Sequence, residues 1–378
     1  MAARSIARAS SLGASAQAAK APVARGTTGK EDVNSEYLIH LGIGTPSPQA
    51  VALVLDTGSD LMWTQCACLS ASTCFPQPLP VFHPSASRTF GTVSCTDPIC
   101  GFGCGVNDNL CRYRYSYGDK SFTRGTIVED TFAFSGAAVP SLRFGCGMNN
   151  SLTARKATGI AGFGRGPLSL PSQLNVNVFS YCFTTIVEPG SSPVFLGTPD
   201  SLGANTQSTP FAPTPTPRGT PSFYYLSLQG VSVGKTLVPV SGGSGGQIID
   251  SGTSITMFPP AVFQSIRAAF VSQVSLPVSD ASPFAGMLCF SMAQAADPKN
   301  VPVPKLILHL EGADWDIPRE NYVQEVQNDK GTLLCMVILP TRGQDLTIIG
   351  NFQQQNTHIV YDLQANKMNF APANCDQL

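Results

Sequence analysis

Charge is scarce in this chain. Only 12% of its 378 residues are Asp, Glu, Lys or Arg, about half the usual share, and 23 basic residues against 24 acidic ones leave a formal net charge of -1. That balance makes no field able to steer nucleic acid or a membrane surface, and no basic patch follows residue 30, so no nucleic-acid partner is expected. Long apolar runs are missing as well. Val51 to Leu55 and Ile348 to Ile349 belong to short stretches, far below the roughly 20 residues of a spanning helix, so no stable membrane insertion is expected. Histidines number four, and none falls among the clustered cysteines. Cys66 and Cys68 are separated by one residue, tighter than usual zinc-ligand spacing, so neither a metal nor a cofactor is expected. The loop Gly162-Phe163-Gly164-Arg165-Gly166 looks like a nucleotide loop only superficially, because no helix opening with Lys and Ser/Thr follows it.

What is plentiful is glycine, proline and cysteine. The 35 glycines and 30 prolines favour many strands joined by turns over long helices. The twelve cysteines are Cys66, Cys68, Cys74, Cys95, Cys100, Cys104, Cys111, Cys146, Cys182, Cys289, Cys335 and Cys375. The first seven fall in a Gly/Pro/Ser-rich stretch with little hydrophobic periodicity, where crosslinks would replace a weak core. Up to six disulfides are expected, and with them an oxidising compartment. The sequon Asn149-Asn150-Ser151 is placed on a loop and is a glycosylation candidate in such a compartment. Residues 1–30 carry Arg4, Arg8, Lys20, Arg25 and Lys30, no acid, and no apolar run of signal-peptide length. A transit peptide and a basic activation segment both fit that composition, and the segment is expected to be disordered.

Order is expected from about Glu36. Strands are predicted at 37–43, 51–55, 129–134, 141–146, 178–183, 193–196, 224–233, 247–249, 304–310, 333–339 and 357–362. Tyr113, Tyr115 and Tyr117 alternate, Gly118-Asp119 turns, and 125–128 returns, which is a hairpin pattern. A short helix is predicted at 168–174, capped by Ser169, and a longer one at 260–274, with Val262, Ile266, Ala269, Phe270 and Val274 on one face. Pro210 to Pro221 holds five prolines and is the candidate linker, dividing the chain into 36–209 and 222–378.

The two parts repeat each other. In the first, an apolar strand ends in Asp56-Thr57-Gly58-Ser59, and Thr158-Gly159-Ile160-Ala161-Gly162 follows later. In the second, an apolar strand ends in Asp250-Ser251-Gly252-Thr253, and Thr347-Ile348-Ile349-Gly350-Asn351 follows. Two carboxylates held close together split their titrations, so that one stays ionised while its partner stays protonated. The ionised one can take a proton from water and the other can donate to a peptide carbonyl oxygen. The flanking residues suit that task. Gly58 and Gly252 permit tight turns beside the carboxylates, Thr57 and Ser251 offer hydroxyls that could bond across the axis, and Ser59 and Thr253 can donate to the outer carboxylate oxygens. The pair titrates as a unit, so base and acid are not assigned to individual residues.

Leu55-Asp56-Thr57-Gly58-Ser59-Asp60-Leu61-Met62-Trp63 and Ile249-Asp250-Ser251-Gly252-Thr253-Ser254 resemble the pepsin-type aspartic proteases over residues 36–375. The cysteine-rich segment after Trp63-Thr64-Gln65-Cys66, the run Ile349-Gly350-Asn351-Phe352-Gln353-Gln354 and the ending Val360-Tyr361-Asp362 to Cys375 resemble the plant nepenthesin-like subgroup. The resemblance implies a bilobed, mainly β fold with pseudo-twofold related lobes. It also implies acid-pH endopeptidase action on polypeptides, inhibition by pepstatin-like peptides, secretion or vacuolar rather than chloroplast location, a monomer, and a propeptide in residues 1–30. Tyr117 falls at the flap tyrosine, with Gly118 and Asp119 at the tip and Trp63 beside it. Lys120 stands where the subgroup usually has glycine, which costs backbone freedom and adds a charge near substrate, so either weaker activity or a preference for acidic substrate side chains is expected. The Cys66-Ala67-Cys68 spacing is one residue shorter than the subgroup's, leaving the local pairing open. No room exists between Asp250 and Gly350 for a saposin-like insert. A non-catalytic relative would have lost an aspartate or an adjoining glycine, and this chain keeps all four.

Overall fold

The computed structural model describes residues 19–25 and 36–378, apart from 67, 106–107, 155, 186–189, 200–201, 204, 218, 241–244, 293–296, 329–330 and 344. Strands dominate, as the turn-rich composition requires. A 14-stranded sheet runs through the first half and is completed by strands from the end of the chain, while five-, four- and three-stranded sheets build the second half. No helix among the described residues is long and apolar enough to cross a membrane.

Each half contains the same local weave. In the first, the strand Gln49–Asp56 lies parallel to Gly159–Gly162, with Asp56 opposite Gly162, and Gly159–Gly162 runs antiparallel to Trp63–Gln65. In the second, Gln247–Ile249 lies parallel to Thr347–Ile349, which pairs antiparallel with Thr256–Phe258. The buried strands read as continuous apolar runs because both of their faces are covered. Each weave ends by delivering an aspartate at a strand's C-terminal end.

The halves are joined by a shared sheet. Val178–Cys182 pairs with Thr357–Asp362, which pairs with Lys367–Pro372, and that strand takes Gln207–Pro210 at the edge. A two-part division at the proline-rich linker therefore misses that the last strands return to the first half. The linker itself begins inside a strand, since Pro210 pairs with Lys367. On one face of the shared sheet lies a file of rings: Tyr37 stacks on Phe183 at 3.9 Å, Phe183 on Tyr181 at 4.2 Å, and Phe179 on Tyr361 at 4.5 Å. All five are fully buried, and truncating any one would cost about 3–5 kcal/mol.

Several expectations change in detail. Disorder over residues 1–30 does not hold at Ala19–Arg25, which forms a strand between Ser191–Leu196 and Tyr37–Ile43. The separate strands expected at 125–128 and 129–134 are one strand, Phe122–Phe134, carried past irregularities in register beside Ala137–Ser151. Asn149 lies inside that second strand opposite Arg124 and is half-buried, so the sequon is not on a loop. The long helix spans Pro260–Val271 and stops short of Val274, and Phe263 joins Ile266, Ala269 and Phe270 on its buried face. The short helix is Leu170–Leu174, with the Ser169 hydroxyl accepting from the Ser172 amide.

All twelve cysteines pair: Cys66 with Cys146, Cys68 with Cys74, Cys95 with Cys104, Cys100 with Cys111, Cys182 with Cys375, and Cys289 with Cys335. Four of these stitch the irregular stretch after Trp63. The Cys182–Cys375 bridge spans 193 residues and ties the chain's last turn to the shared sheet. Replacing Cys182 and Cys375 together by alanine is expected to lower stability by about 2–5 kcal/mol, read as a lowered urea midpoint. An unchanged midpoint would show that strand pairing alone holds the C-terminus.

Candidate active site

The site is built where the two weaves meet. The Thr57 amide donates to Ser251 Oγ at 2.9 Å, and the Ser251 amide donates to Thr57 Oγ1 at 2.9 Å. Each hydroxyl then donates onward to the opposite strand, Ser251 Oγ to the Leu55 carbonyl at 2.8 Å and Thr57 Oγ1 to the Ile249 carbonyl at 3.4 Å. These reciprocal bonds cross the pseudo-twofold axis and lock the loops face to face.

Both carboxylates have matching donors. Asp56 Oδ1 accepts from the Gly58 amide at 2.9 Å, and its Oδ2 accepts from the Ser59 hydroxyl. Asp250 Oδ1 accepts from the Gly252 amide at 2.8 Å, and its Oδ2 from the Thr253 hydroxyl at 2.6 Å. The glycines are needed for a second reason, which is space. A Cβ on Gly58 would sit 2.6 Å from Asp250 Cγ, and one on Gly252 would sit 2.6 Å from Asp56 Cγ. The aspartates are 6% and 9% exposed, and that remaining surface opens on the cleft. Burial pushes the Asp56 carboxyl well above the ordinary carboxylate range, and the neighbouring charge of Asp250 adds to the rise.

Residues with no role assigned from sequence complete the support. Asp60 closes the first weave: its Oδ1 accepts from the Gly166 amide at 2.8 Å, and its Oδ2 from the Ser222 hydroxyl of the second half. The glycine-rich loop thus cradles this chain's own carboxylate, and a Cβ on Gly166 would collide with it. In the second weave, amide side chains take over. Gln354 Nε2 donates to the Ile349 and Asp250 carbonyls at 2.9 and 3.3 Å, while its Oε1 accepts from the Tyr181 hydroxyl at 2.6 Å. Asn351 Nδ2 donates to the Ser251 carbonyl at 2.9 Å. The glutamine run was visible as a motif, but only folding shows that it buttresses Asp250.

The hairpin Arg112–Ser116 and Phe122–Phe134 projects over the site. At its tip the Tyr117 hydroxyl accepts from Trp63 Nε1 at 2.8 Å. Tyr113 instead turns into the core and bonds Thr123. Tyr115 packs against the Tyr117 ring, and burial pushes its hydroxyl up to about 12. Lys120 sits at φ +74°, a left-handed conformation that costs a side-chain-bearing residue about 1–2 kcal/mol. Its side chain is exposed at the hairpin tip, next to Asp119 in the cleft wall. The cleft has a volume of about 820 Å³, with Asp56, Asp250, Tyr117, Gly118 and Asp119 in its walls. Trp63 is buried beneath Tyr117 and does not line it. No cluster among the described residues could hold a metal ion.

A bilobed β structure with paired aspartates gripped across a pseudo-twofold axis defines the aspartic peptidase class. Comparison with known proteins gives the particular family. Residues 37–198 match the family described as "Xylanase inhibitor N-terminal", and residues 223–372 match "Xylanase inhibitor C-terminal". The chain is 39% identical to aspartic proteinase nepenthesin-1 of Nepenthes gracilis, over 90% of this chain and 78% of that protein. It is 36% identical to aspartyl protease family protein 2 of Arabidopsis thaliana, over 92% and 73%. Among solved structures, edgp and soybean basic 7S globulin both superpose with TM-score 0.73 at 19% identity, covering 95% of this chain and 96% and 98% of theirs, which speaks to the fold alone. The chain belongs to the nepenthesin-like family of plant aspartic proteases. With both aspartates and both adjoining glycines in place, it is an aspartic endopeptidase.

The raised Asp56 carboxyl has a consequence for stability. From about pH 4 upward the unfolded chain releases a proton that the folded dyad keeps, so this pair's contribution to stability falls as pH rises. Asp56→Asn is therefore expected to gain stability relative to wild type progressively above about pH 4, measured as the difference in urea midpoint across pH. A difference that stays constant with pH would show that the pair does not hold the proton.

Proposed function

We propose that the chain hydrolyses internal peptide bonds of polypeptides at acidic pH, using a water molecule activated between Asp56 and Asp250. The observation that carries this reading is the reciprocal Thr57–Ser251 grip, which presents two equivalently hydrogen-bonded carboxylates to one cleft. With one proton on the pair, the ionised carboxylate takes a proton from water as its oxygen attacks the peptide carbonyl carbon. The protonated carboxyl gives its proton to the carbonyl oxygen, and a tetrahedral diol results. The protonated carboxyl of the pair then gives its proton to the amide nitrogen while the ionised one takes a proton from a diol hydroxyl; the C–N bond breaks, carboxylic acid and amine leave, and the dyad again holds one proton. No covalent enzyme intermediate forms, because neither carboxylate bonds to carbon.

The second-half wall of the cleft includes Phe223, Tyr225, Ile248, Met257, Leu346 and Ile348. It supports a preference for large apolar side chains flanking the scissile bond. A pepstatin-like peptide fits the same chemistry, its hydroxyl standing in for the diol. Both aspartates come from one chain, so a monomer suffices, and six disulfides support action in a secretory or vacuolar compartment. We place residues 1–30 as a propeptide.

Peptide cleavage measured against pH, on oxidatively folded protein with and without pepstatin, tests the reading. Activity peaking in acid, blocked by pepstatin and lowered at least about 100-fold in Asp56→Asn and in Asp250→Asn is expected. An unchanged rate in either variant would sink the mechanism. Complete lack of cleavage by folded protein freed of its N-terminal segment would favour a binding role instead. Tyr117→Phe keeps the ring over the dyad and is expected to be mild, whereas Tyr117→Ala is expected to cut turnover severely. Wild-type kinetics in Tyr117→Ala would remove that residue from the flap role.

A further inference from the structure

The flap tip is held mostly by bonds within itself. The Tyr117 amide donates to the Ser121 carbonyl and the Lys120 amide to the Tyr117 carbonyl, at 2.9 and 3.1 Å. Asp119 organises the turn by accepting from the Ser121 amide on Oδ1 at 2.8 Å and from the Ser121 hydroxyl on Oδ2 at 2.6 Å. Among the described residues, two side-chain hydrogen bonds leave residues 117–121 for the body of the lobe. One runs from Trp63 Nε1 to the Tyr117 hydroxyl. The other runs from Thr153 Oγ1 to Asp119 Oδ2, at 2.9 Å.

Thr153 is well placed to act as the fixed end of that second bond. It lies just beyond the strand Ala137–Ser151 and lines the cleft. Its neighbours Leu152 and Ala154 both pack into the first-half hydrophobic cluster that contains Trp63. The hydroxyl is thus presented from an anchored segment, while its acceptor sits on the hairpin tip beside the cleft. Without that bond, the outer edge of the tip would be joined to the body by the strands alone, and Tyr117 would depend on Trp63.

We propose that Thr153 is a positioning residue for the flap, its hydroxyl latching Asp119 to the cleft wall and so holding Tyr117 over the dyad. The proposal rests on the endopeptidase reading for its consequence in catalysis, though not for the latch itself. Asp119 is a poor place to test it, because that carboxylate also builds the turn. Thr153→Val removes the hydroxyl at nearly constant volume, and Thr153→Ser keeps it.

The full, folded chain carrying each variant would be compared for peptide hydrolysis and for acrylamide quenching of tryptophan fluorescence. Trp63 lies fully buried against Tyr117, and the second tryptophan, Trp315, is buried in the other half and gives a constant background. Thr153→Val is expected to raise KM about three- to tenfold with a smaller change in kcat, and to increase quenching of Trp63. Thr153→Ser is expected to restore both towards wild type. Wild-type KM and quenching in Thr153→Val would overturn the latch, and so would a Thr153→Ser variant as impaired as the valine. If the wild-type chain cleaves no peptide at any pH, the endopeptidase reading fails, while the quenching comparison still decides the latch.

Discussion

Two like charges do not stay side by side in a protein interior unless something holds them there. At about 4 Å and an effective dielectric of about 20 the repulsion of two full charges is about 4 kcal/mol. The four bonds of the Thr57–Ser251 grip, at about 1 kcal/mol each, are of that order, and sharing a proton lowers the repulsion further. Everything else in the molecule can be understood as support for that grip. The strands Gln49–Asp56 and Gln247–Ile249 aim the loops at one another. The glycines at 58 and 252 leave the space in which the two carboxylates meet.

The support is symmetric near the dyad and diverges behind it. The first weave is closed by a carboxylate, Asp60, which also reaches Ser222 in the second half. The second is closed by the amides of Asn351 and Gln354. Beneath both runs the shared sheet, where Tyr181 passes from the Gln354 amide to the Tyr361 hydroxyl at 2.8 Å. Buried polar groups of this kind rigidify a site only when each has a partner, and here the chain of partners leads from the aromatic file to the Asp250 backbone. The Cys182–Cys375 bridge fastens the same sheet covalently.

The family descriptions that match this chain speak of xylanase inhibitors, whereas the relatives nepenthesin-1 and aspartyl protease family protein 2 are named as proteases. The fold is common to both kinds and decides nothing between them. The relatives of highest identity reported above are the proteases, and this chain keeps Asp56, Asp250 and the glycines at 58 and 252, where a side chain would fill the place of the opposite carboxylate.

The sequence by itself was enough for the meeting of Asp56 with Asp250, the hairpin around Tyr117, the all-β class and full use of the cysteines, because each rests on local pattern: an apolar strand ending in Asp, a period-two run before a turn, an even cysteine count. Local pattern also misled where long-range pairing governs. Ala19–Arg25 looked disordered because its strand exists only between two other strands, one of which, Ser191–Leu196, is distant in sequence. Asn149 looked like a loop residue because its partner, Arg124, lies on another strand. The roles of Asp60, Gln354 and Thr153 are invisible along the chain, since each depends on an acceptor or donor that only folding brings within hydrogen-bond distance. Sequence determined which groups are proposed to carry the chemistry. Tertiary structure decided which hydrogen bonds hold two mutually repelling carboxylates in one place, because those bonds join residues nearly two hundred positions apart.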